Sequence, residues 1–253
     1  MSNLSGNLSG QAAIVTGASS GMGRATALTL AAAGANVLAA ARREAELKSL
    51  QEEAAAAGHE ISILVADVSK KEDDEALVKS CLKQFGRVDI VVNAAGINLP
   101  DRLLEVLTDE NWHKLLEINL TGAYYLTRAL LEPMEAQGGG LIVHVGSVSG
   151  RWGDFSGVAY QASKHGLMGL SYGTMMERRE KGIRVSVIMP GLCDTPLLQK
   201  RPVPPTQEKL DKAMKPQDIA DASLFLACLP ARTYVPELIL MPGMLQCVGN
   251  NVT

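Results

Sequence analysis

Apolar residues along this chain gather into two alternating kinds of segment. Short, mostly apolar runs stand at 12–16 (AAIVT), 36–40 (NVLAA), 61–66 (ISILVA), 88–92 (VDIVV), 141–145 (LIVHV), 183–189 (IRVSVIM) and 237–241 (ELILM). Each reads as a buried strand. Between them lie longer stretches suited to helices, at 22–33, 44–57, 69–84, 109–136, 157–181 and 217–228, with a short one near 207–213. Glycines mark several helix ends: Gly34, Gly58 and the run Gly138-Gly139-Gly140. Strands that alternate with helices in this way predict a seven-stranded parallel sheet covered on both faces. The expected architecture is α/β, one doubly wound Rossmann-like domain over 11–253. Residues 1–10 duplicate Asn-Leu-Ser-Gly and are expected to form a flexible arm.

Composition narrows the function classes. The 253 residues correspond to about 1.7 average domains, and the unbroken alternation selects one. Apolar residues make up 47% of the chain but aromatics only 4%, so the core is built from aliphatic side chains. A net charge of −3 gives no footing for nucleic acid. The cysteines and histidines are scattered without ligand spacing, so no metal and no disulfide framework are expected. There is no apolar run long enough for a bilayer and no secretory n-region, which points to a cytoplasmic protein away from membranes.

The first strand runs into Thr16-Gly17-Ala18-Ser19-Ser20-Gly21-Met22-Gly23, and a helix follows. Glycines there allow a tight turn and close approach of a pyrophosphate, while the helix N-terminus offers free N–H groups. The second strand ends Ala39-Ala40-Ala41-Arg42-Arg43, where a dinucleotide site selective for an unphosphorylated ribose would carry a carboxylate. A guanidinium pairs with a phosphate and a carboxylate repels one. The expected cofactor is therefore NADP(H), with Arg42 on the 2′-phosphate and Arg43 assisting.

With these motifs in view, the sequence resembles the short-chain dehydrogenase/reductase family over roughly 11–243. The resemblance extends to Asp67-Val68 after the third strand, Asn93-Ala94-Ala95-Gly96 after the fourth, and Pro190-Gly191 after the sixth. It implies adenine contact at Asp67 and Val68, a cofactor wall at Asn93 to Gly96, and a nicotinamide carboxamide seat around Cys193 and Thr195. It also implies a catalytic tetrad of Asn119, Ser147, Tyr160 and Lys164. Tyr160 and Lys164, at i and i+4, share one face of the predicted 157–181 helix. In this reading Tyr160 is the acid–base, Lys164 lowers its pKa and holds the nicotinamide ribose, Ser147 polarises the substrate oxygen, and Asn119 holds a relay water.

The substrate pocket is expected between Ser149 to Phe155, Ile97 to Pro100 and Leu192 to Pro205. Ser149, Trp152, Phe155 and Leu192 are its candidate contacts, joined by Leu197 and Leu198, an apolar wall suited to a hydrophobic or mixed ketone. Arg151 could receive an anionic group or simply be exposed. The implied activity is reduction of a ketone, or oxidation of a secondary alcohol, by a small-molecule enzyme. A 3-oxoacyl-thioester reductase is the alternative, disfavoured by the ending ELILMPG where such reductases carry Gly-Gly. A non-catalytic NADP(H)-sensing regulator would be expected to lack one of the tetrad. A homo-oligomer, dimer or tetramer, is implied through the C-terminal strand and tail.

Overall fold

All seven apolar runs pair into one sheet. The computed structural model describes residues 6–245. β1 (Ala12–Thr16) leads through α1 (Gly21–Ala32) to β2 (Asn36–Ala41), and α2 (Glu44–Ala56) leads to β3 (Ile61–Val65). α3 (Lys71–Phe85) then precedes β4 (Ile90–Asn93), followed by α4 (Asp109–Leu116), α5 (Gly122–Ala136) and β5 (Gly140–Val145). The second half adds α6 (Val158–Arg178), β6 (Ile183–Pro190), α7 (Gln207–Lys212), α8 (Pro216–Cys228) and β7 (Glu237–Leu240). The strand order is β3-β2-β1-β4-β5-β6-β7, every pair parallel.

Alternate residues of each strand feed opposite faces. Ala13, Val15, Val37 and Ala39 pack with Leu30 of α1, Leu47 and Leu50 of α2, and Ile219 and Leu226 of α8. Their neighbours Ile14, Leu38, Ala40 and Val91 pack on the other face with Leu77 and Cys81 of α3 and with Leu126, Leu130 and Met134 of α5. Each leucine removed from water in this way contributes about 1.5–3 kcal/mol. Chain order reverses between β1 and β4, and this opens a crevice beyond their C-terminal ends.

Two expectations are corrected. The ten-residue arm is not free throughout: Leu8 is fully buried and its N–H donates to the Ala33 carbonyl, 2.8 Å away. A leucine at the open end of α1 finds apolar surface there, so the chain is anchored from this point. Residues 1–5 lie outside those described. The single helix expected over 109–136 is instead α4, a π-helical turn at Glu117–Thr121, and α5. The turn inserts where Asn119 must point inward, and α5 starts where a Cβ on Gly122 would stand 2.3 Å from the Val68 carbonyl oxygen. π-turns of this kind accompany functional positions.

Candidate active site

Gly17 leaves β1 at a φ of 66°, and a Cβ there would stand 2.8 Å from the backbone of Ala94 and Ala95. Glycine alone lets the exits of β1 and β4 approach so closely. Gly23 is tighter still, since its Cβ would lie 2.5 Å from the Gly17 carbonyl oxygen. The Ser20 hydroxyl does not cap α1, which leaves the first-turn N–H groups and the positive end of the helix dipole to an anion. Gly21 faces Thr195, whose Cγ2 would be 3.3 Å from an added Cβ. The carboxamide seat expected at Thr195 therefore lies beside the glycine loop.

A buried polar chain fixes the strand ends around this loop. The Ala95 N–H donates to Thr16 Oγ1 (3.2 Å), which donates to Asn93 Oδ1 (2.7 Å). Asn93 Nδ2 lies 3.3 Å from His144 Nδ1, and His144 Nε2 lies 3.4 Å from Thr127 Oγ1. Thr127 donates in turn to the Ala123 carbonyl at 2.7 Å. One set of directions satisfies every member if His144 is neutral and carries its proton on Nε2. Burial, helped by the Lys164 charge, pushes the His144 pKa down to about 3 and so keeps the ring neutral. Sequence reasoning assigned Asn93 to the cofactor wall and missed His144, because a lone histidine in a strand gives no spacing signal.

Arg42 and Arg43 turn to different partners at the exit of β2. Arg43 Nη2 donates to both Ser19 Oγ and Ser20 Oγ, each 2.9 Å away, at the rim of the glycine loop. Arg42 is more than half exposed and faces Asp67, Nη1 to Oδ2 being 3.9 Å. Asp67 Oδ1 also accepts from the Ser69 N–H and hydroxyl.

All four residues of the expected tetrad stand around Gly96 and the start of α6. Asn119 Oδ1 accepts from the Ile97 N–H (2.8 Å), and its Nδ2 donates to the Ile97 carbonyl (3.0 Å) and Ser163 Oγ (3.2 Å). A Cβ on Gly96 would stand 3.4 Å from Asn119 Oδ1 and 3.6 Å from Lys164 Nζ, so both groups bear on that glycine. Lys164 is buried, its Nζ donates to the Val145 carbonyl at 2.9 Å, and it lies 5.7 Å from the centroid of the Tyr160 ring. Burial brings the Lys164 pKa down to about 8.

Tyr160 departs from expectation. Burial is the largest influence and pushes its pKa above the ordinary 10. The Ser147 hydroxyl and the nearby Arg201 and Arg102 charges act in the lowering direction, and Asp154 opposes them. The positive charges that favour its phenolate thus include two arginines that sequence reasoning left unassigned.

Ser147 is held by a second hub. Ser149 is buried; its N–H donates to Ser147 Oγ (3.1 Å), and its hydroxyl lies 3.2 Å from Ser147 Oγ, 2.5 Å from Asp154 Oδ2 and 3.0 Å from Ser156 Oγ. With its hydroxyl so engaged, Ser149 positions Ser147. A cavity of about 460 Å³ opens in front of Ser147 and Tyr160. Phe155, Leu192, Leu197 and Leu198 line it as expected, as do Met22, Pro190, Gly191, Cys193 and Thr195. Trp152 is absent from that lining, because the turn after the Val148–Gly150 3-10 helix carries it aside. Arg151 pairs with Glu237 at 3.0 Å instead of facing the cavity. Arg102, Lys200 and Arg201 line it and were overlooked. Lys200 and Arg201 lay inside a segment already marked as pocket-forming, and Arg102 lay two residues beyond another.

Comparisons with known proteins point to one family. The family model for short chain dehydrogenase matches residues 11–204. A 3-oxoacyl-[acyl-carrier-protein] reductase of Thermotoga maritima is 33% identical over 225 residues, covering 87% of this chain and 91% of the relative. A metagenomic short-chain oxidoreductase, solved in complex with NADP, superposes with a TM-score of 0.81 at 33% identity, over 94% of this chain and 99% of that one. An alcohol dehydrogenase from the archaeon Thermococcus sibiricus, complexed with 5-hydroxy-NADP, reaches a TM-score of 0.84 at 32% identity, over 94% and 98% of the two chains.

Proposed function

The chain belongs to the short-chain dehydrogenase/reductase family, and from that premise we propose that it transfers hydride between NADP(H) and a ketone or secondary alcohol. The observation that carries this reading is the placing of Ser147 and Tyr160 together in the lining of a cavity beside the glycine loop, with Lys164 Nζ 5.7 Å from the centre of the Tyr160 ring.

The residues present fit the cofactor. Backbone cradles at Gly17 and Gly23 that a Cβ would fill, with Ser19, Ser20, Gly21 and Met22, would hold the pyrophosphate. Arg43, already on the two serine hydroxyls, would take the 2′-phosphate first, with Arg42 beside it. Asp67 and Val68 would meet the adenine, Asn93 to Gly96 would form the adjoining wall, and Pro190, Gly191, Cys193 and Thr195 would seat the carboxamide. Tyr160 and Lys164 would hold the nicotinamide ribose. When bound, the nicotinamide supplies the hydride that the carbonyl carbon receives.

Charge then builds on the carbonyl oxygen. Ser147, its Oγ held by the Ser149 N–H, turns its hydroxyl proton from Ser149 Oγ to that oxygen and donates a hydrogen bond to it. Tyr160 gives it a proton, a step worth roughly 10²- to 10⁴-fold in rate. Lys164, with a pKa of about 8, is mostly ammonium at neutral pH and stabilises the phenolate left behind. Asn119, bearing on the same glycine as Lys164, holds the water through which the proton is restored.

A 3-oxoacyl thioester is the second substrate reading, favoured by the Thermotoga maritima relative. NADPH absorbance decay with a ketone panel set against a 3-oxoacyl thioester tests both. Turnover of simple ketones at comparable kcat/KM supports the first reading, turnover of the thioester alone supports the second, and turnover of neither overturns the assignment. We read the protein as a cytoplasmic homo-oligomer joined through the edge strand β7, whose four residues are all half-buried. Among the described residues no helix is long and apolar enough to cross a membrane.

A further inference from the structure

The charge lining the cavity is lopsided. Among the described residues, Arg102, Lys200 and Arg201 line it with a single carboxylate, Asp154, although the chain as a whole carries −3. That carboxylate is already engaged, since Asp154 Oδ2 accepts from the Ser149 hydroxyl and Oδ1 from the Ser156 N–H. Arg102 and Arg201 are both part-buried, and among the described residues neither guanidinium has a hydrogen-bond or ion-pair partner. Burial pushes both below the ordinary guanidinium range and the Arg201 charge pushes Arg102 further the same way, while Asp154 and Tyr160 act in the opposite direction on each without restoring it. Two part-buried cations that share one carboxylate, itself already accepting from Ser149 and Ser156, are costly unless a further anion comes between them.

Their placement is built into the backbone. Arg102 follows β4 in a loop pinned to the entrance of α6: Asn98 Nδ2 donates to the Ser156 carbonyl at 3.0 Å. Gly157, at a φ of 93°, leaves no room for a Cβ, which would stand 2.4 Å from the Arg102 carbonyl oxygen and 2.7 Å from Arg102 Cβ. Arg201 arrives from the other side of the cleft, directly after the Pro196–Lys200 3-10 helix. Both charges are felt at Tyr160.

Resting on the carbonyl-reductase reading, we propose that the substrate ketone carries an oxyanion group, a carboxylate or a phosphate, held between Arg102 and Arg201. A guanidinium is suited to this task because its planar fork donates two parallel hydrogen bonds to either anion and is weakly hydrated. The anion relieves the repulsion between the arginines and anchors the substrate while Ser147 and Tyr160 address its carbonyl oxygen. The apolar lining from Phe155, Leu192 and Leu198 then covers the carbon chain between the two ends.

The test pairs charged and neutral ketones: 4-oxopentanoate with 2-pentanone, and hydroxyacetone phosphate with hydroxyacetone, the second pair separating phosphate from carboxylate. In the wild type, kcat/KM favours the charged member of at least one pair. In Arg201→Met and Arg102→Met the charged-to-neutral ratio falls about 30-fold or more, the usual cost of removing one partner of a buried charge pair, mostly through KM. Arg201→Lys, which keeps charge without the fork, recovers part of it. Calorimetric titration of the same ketones into enzyme loaded with NADP+, where no reduction can occur, reads the grip without turnover. Equal preference within both pairs and unchanged titrations in the variants would overturn the proposal while leaving ketone reduction standing. Weakened NADPH binding in the variants with an unchanged charged-to-neutral ratio would overturn it too, since the arginines would then serve the dinucleotide. If the wild type reduces no ketone but binds the anions in titration and the variants do not, the anion grip holds and the reductase reading fails.

Discussion

Asp74 offers a quantitative test of how this fold treats a buried charge. It lies in α3 fully shielded from solvent, and among the described residues neither carboxylate oxygen has a hydrogen-bond partner. Burial, helped by the nearby Asp73 and Asp67, pushes its pKa from the ordinary 3.8 up to about 8. Between those values the folded protein keeps a proton that the unfolded chain releases, so the stability gained from folding Asp74 neutral is full below about pH 3.8 and is lost as pH rises to about 8. Each pH unit in the window costs about 1.4 kcal/mol, which amounts to about 4 kcal/mol by pH 7. Asp74→Asn keeps the shape and cannot ionise. Urea unfolding of wild type and variant at pH 5, 6 and 7 is expected to show a stability difference that widens in favour of the amide variant by about 1.4 kcal/mol for each pH unit. The amide's own buried N–H groups shift the whole comparison by a constant and leave the slope intact. Parallel pH profiles for the two proteins would refute the reasoning.

Three further outcomes follow from the site. Arg43→Ala is expected to weaken NADPH binding about 10-fold or more, the cost of a charge-assisted hydrogen bond, and to exceed the effect of Arg42→Ala; fluorescence titrations that reverse this order contradict the placement on Ser19 and Ser20. Gly23→Ala forces a methyl against the Gly17 carbonyl and is expected to cost about 1–3 kcal/mol together with NADPH binding, so intact cofactor affinity argues against the cradle. His144 is held neutral down to about pH 3, against an ordinary 6.5. The unfolded chain therefore takes the proton first, and stability is full above about pH 6.5 and falls below it. A loss of about 2 kcal/mol between pH 7 and 5, absent from His144→Gln, is the expected result in denaturant melts.

The architecture was readable because doubly buried parallel strands must be apolar runs and because strand–helix turns under a phosphate demand glycine. Tyr160 and Lys164 were readable because α6 converts a four-residue spacing into a shared face. Asn119 was placed in the right region, yet the π-turn that aims it was hidden, since that turn depends on the Ile97 backbone and Ser163 of distant elements. Arg102 and Arg201 escaped for a similar reason. Each is an ordinary loop arginine in sequence, and only close packing at Gly157 and the return of the chain after β6 bring them into the cavity with Tyr160. Trp152 was misplaced because a large aromatic near the catalytic serine says nothing about which side of a turn it occupies. That Arg43 reaches Ser19 and Ser20 while Arg42 faces Asp67 likewise depends on the exit angle from β2, which periodicity does not encode.

The central claim is that Tyr160 gives the proton to the carbonyl oxygen. Its most direct test is Tyr160→Phe, assayed for ketone reduction alongside NADPH binding by fluorescence titration. The account predicts a fall in kcat of roughly 10²- to 10⁴-fold with NADPH still bound. Ketone reduction by Tyr160→Phe at near wild-type kcat would contradict it.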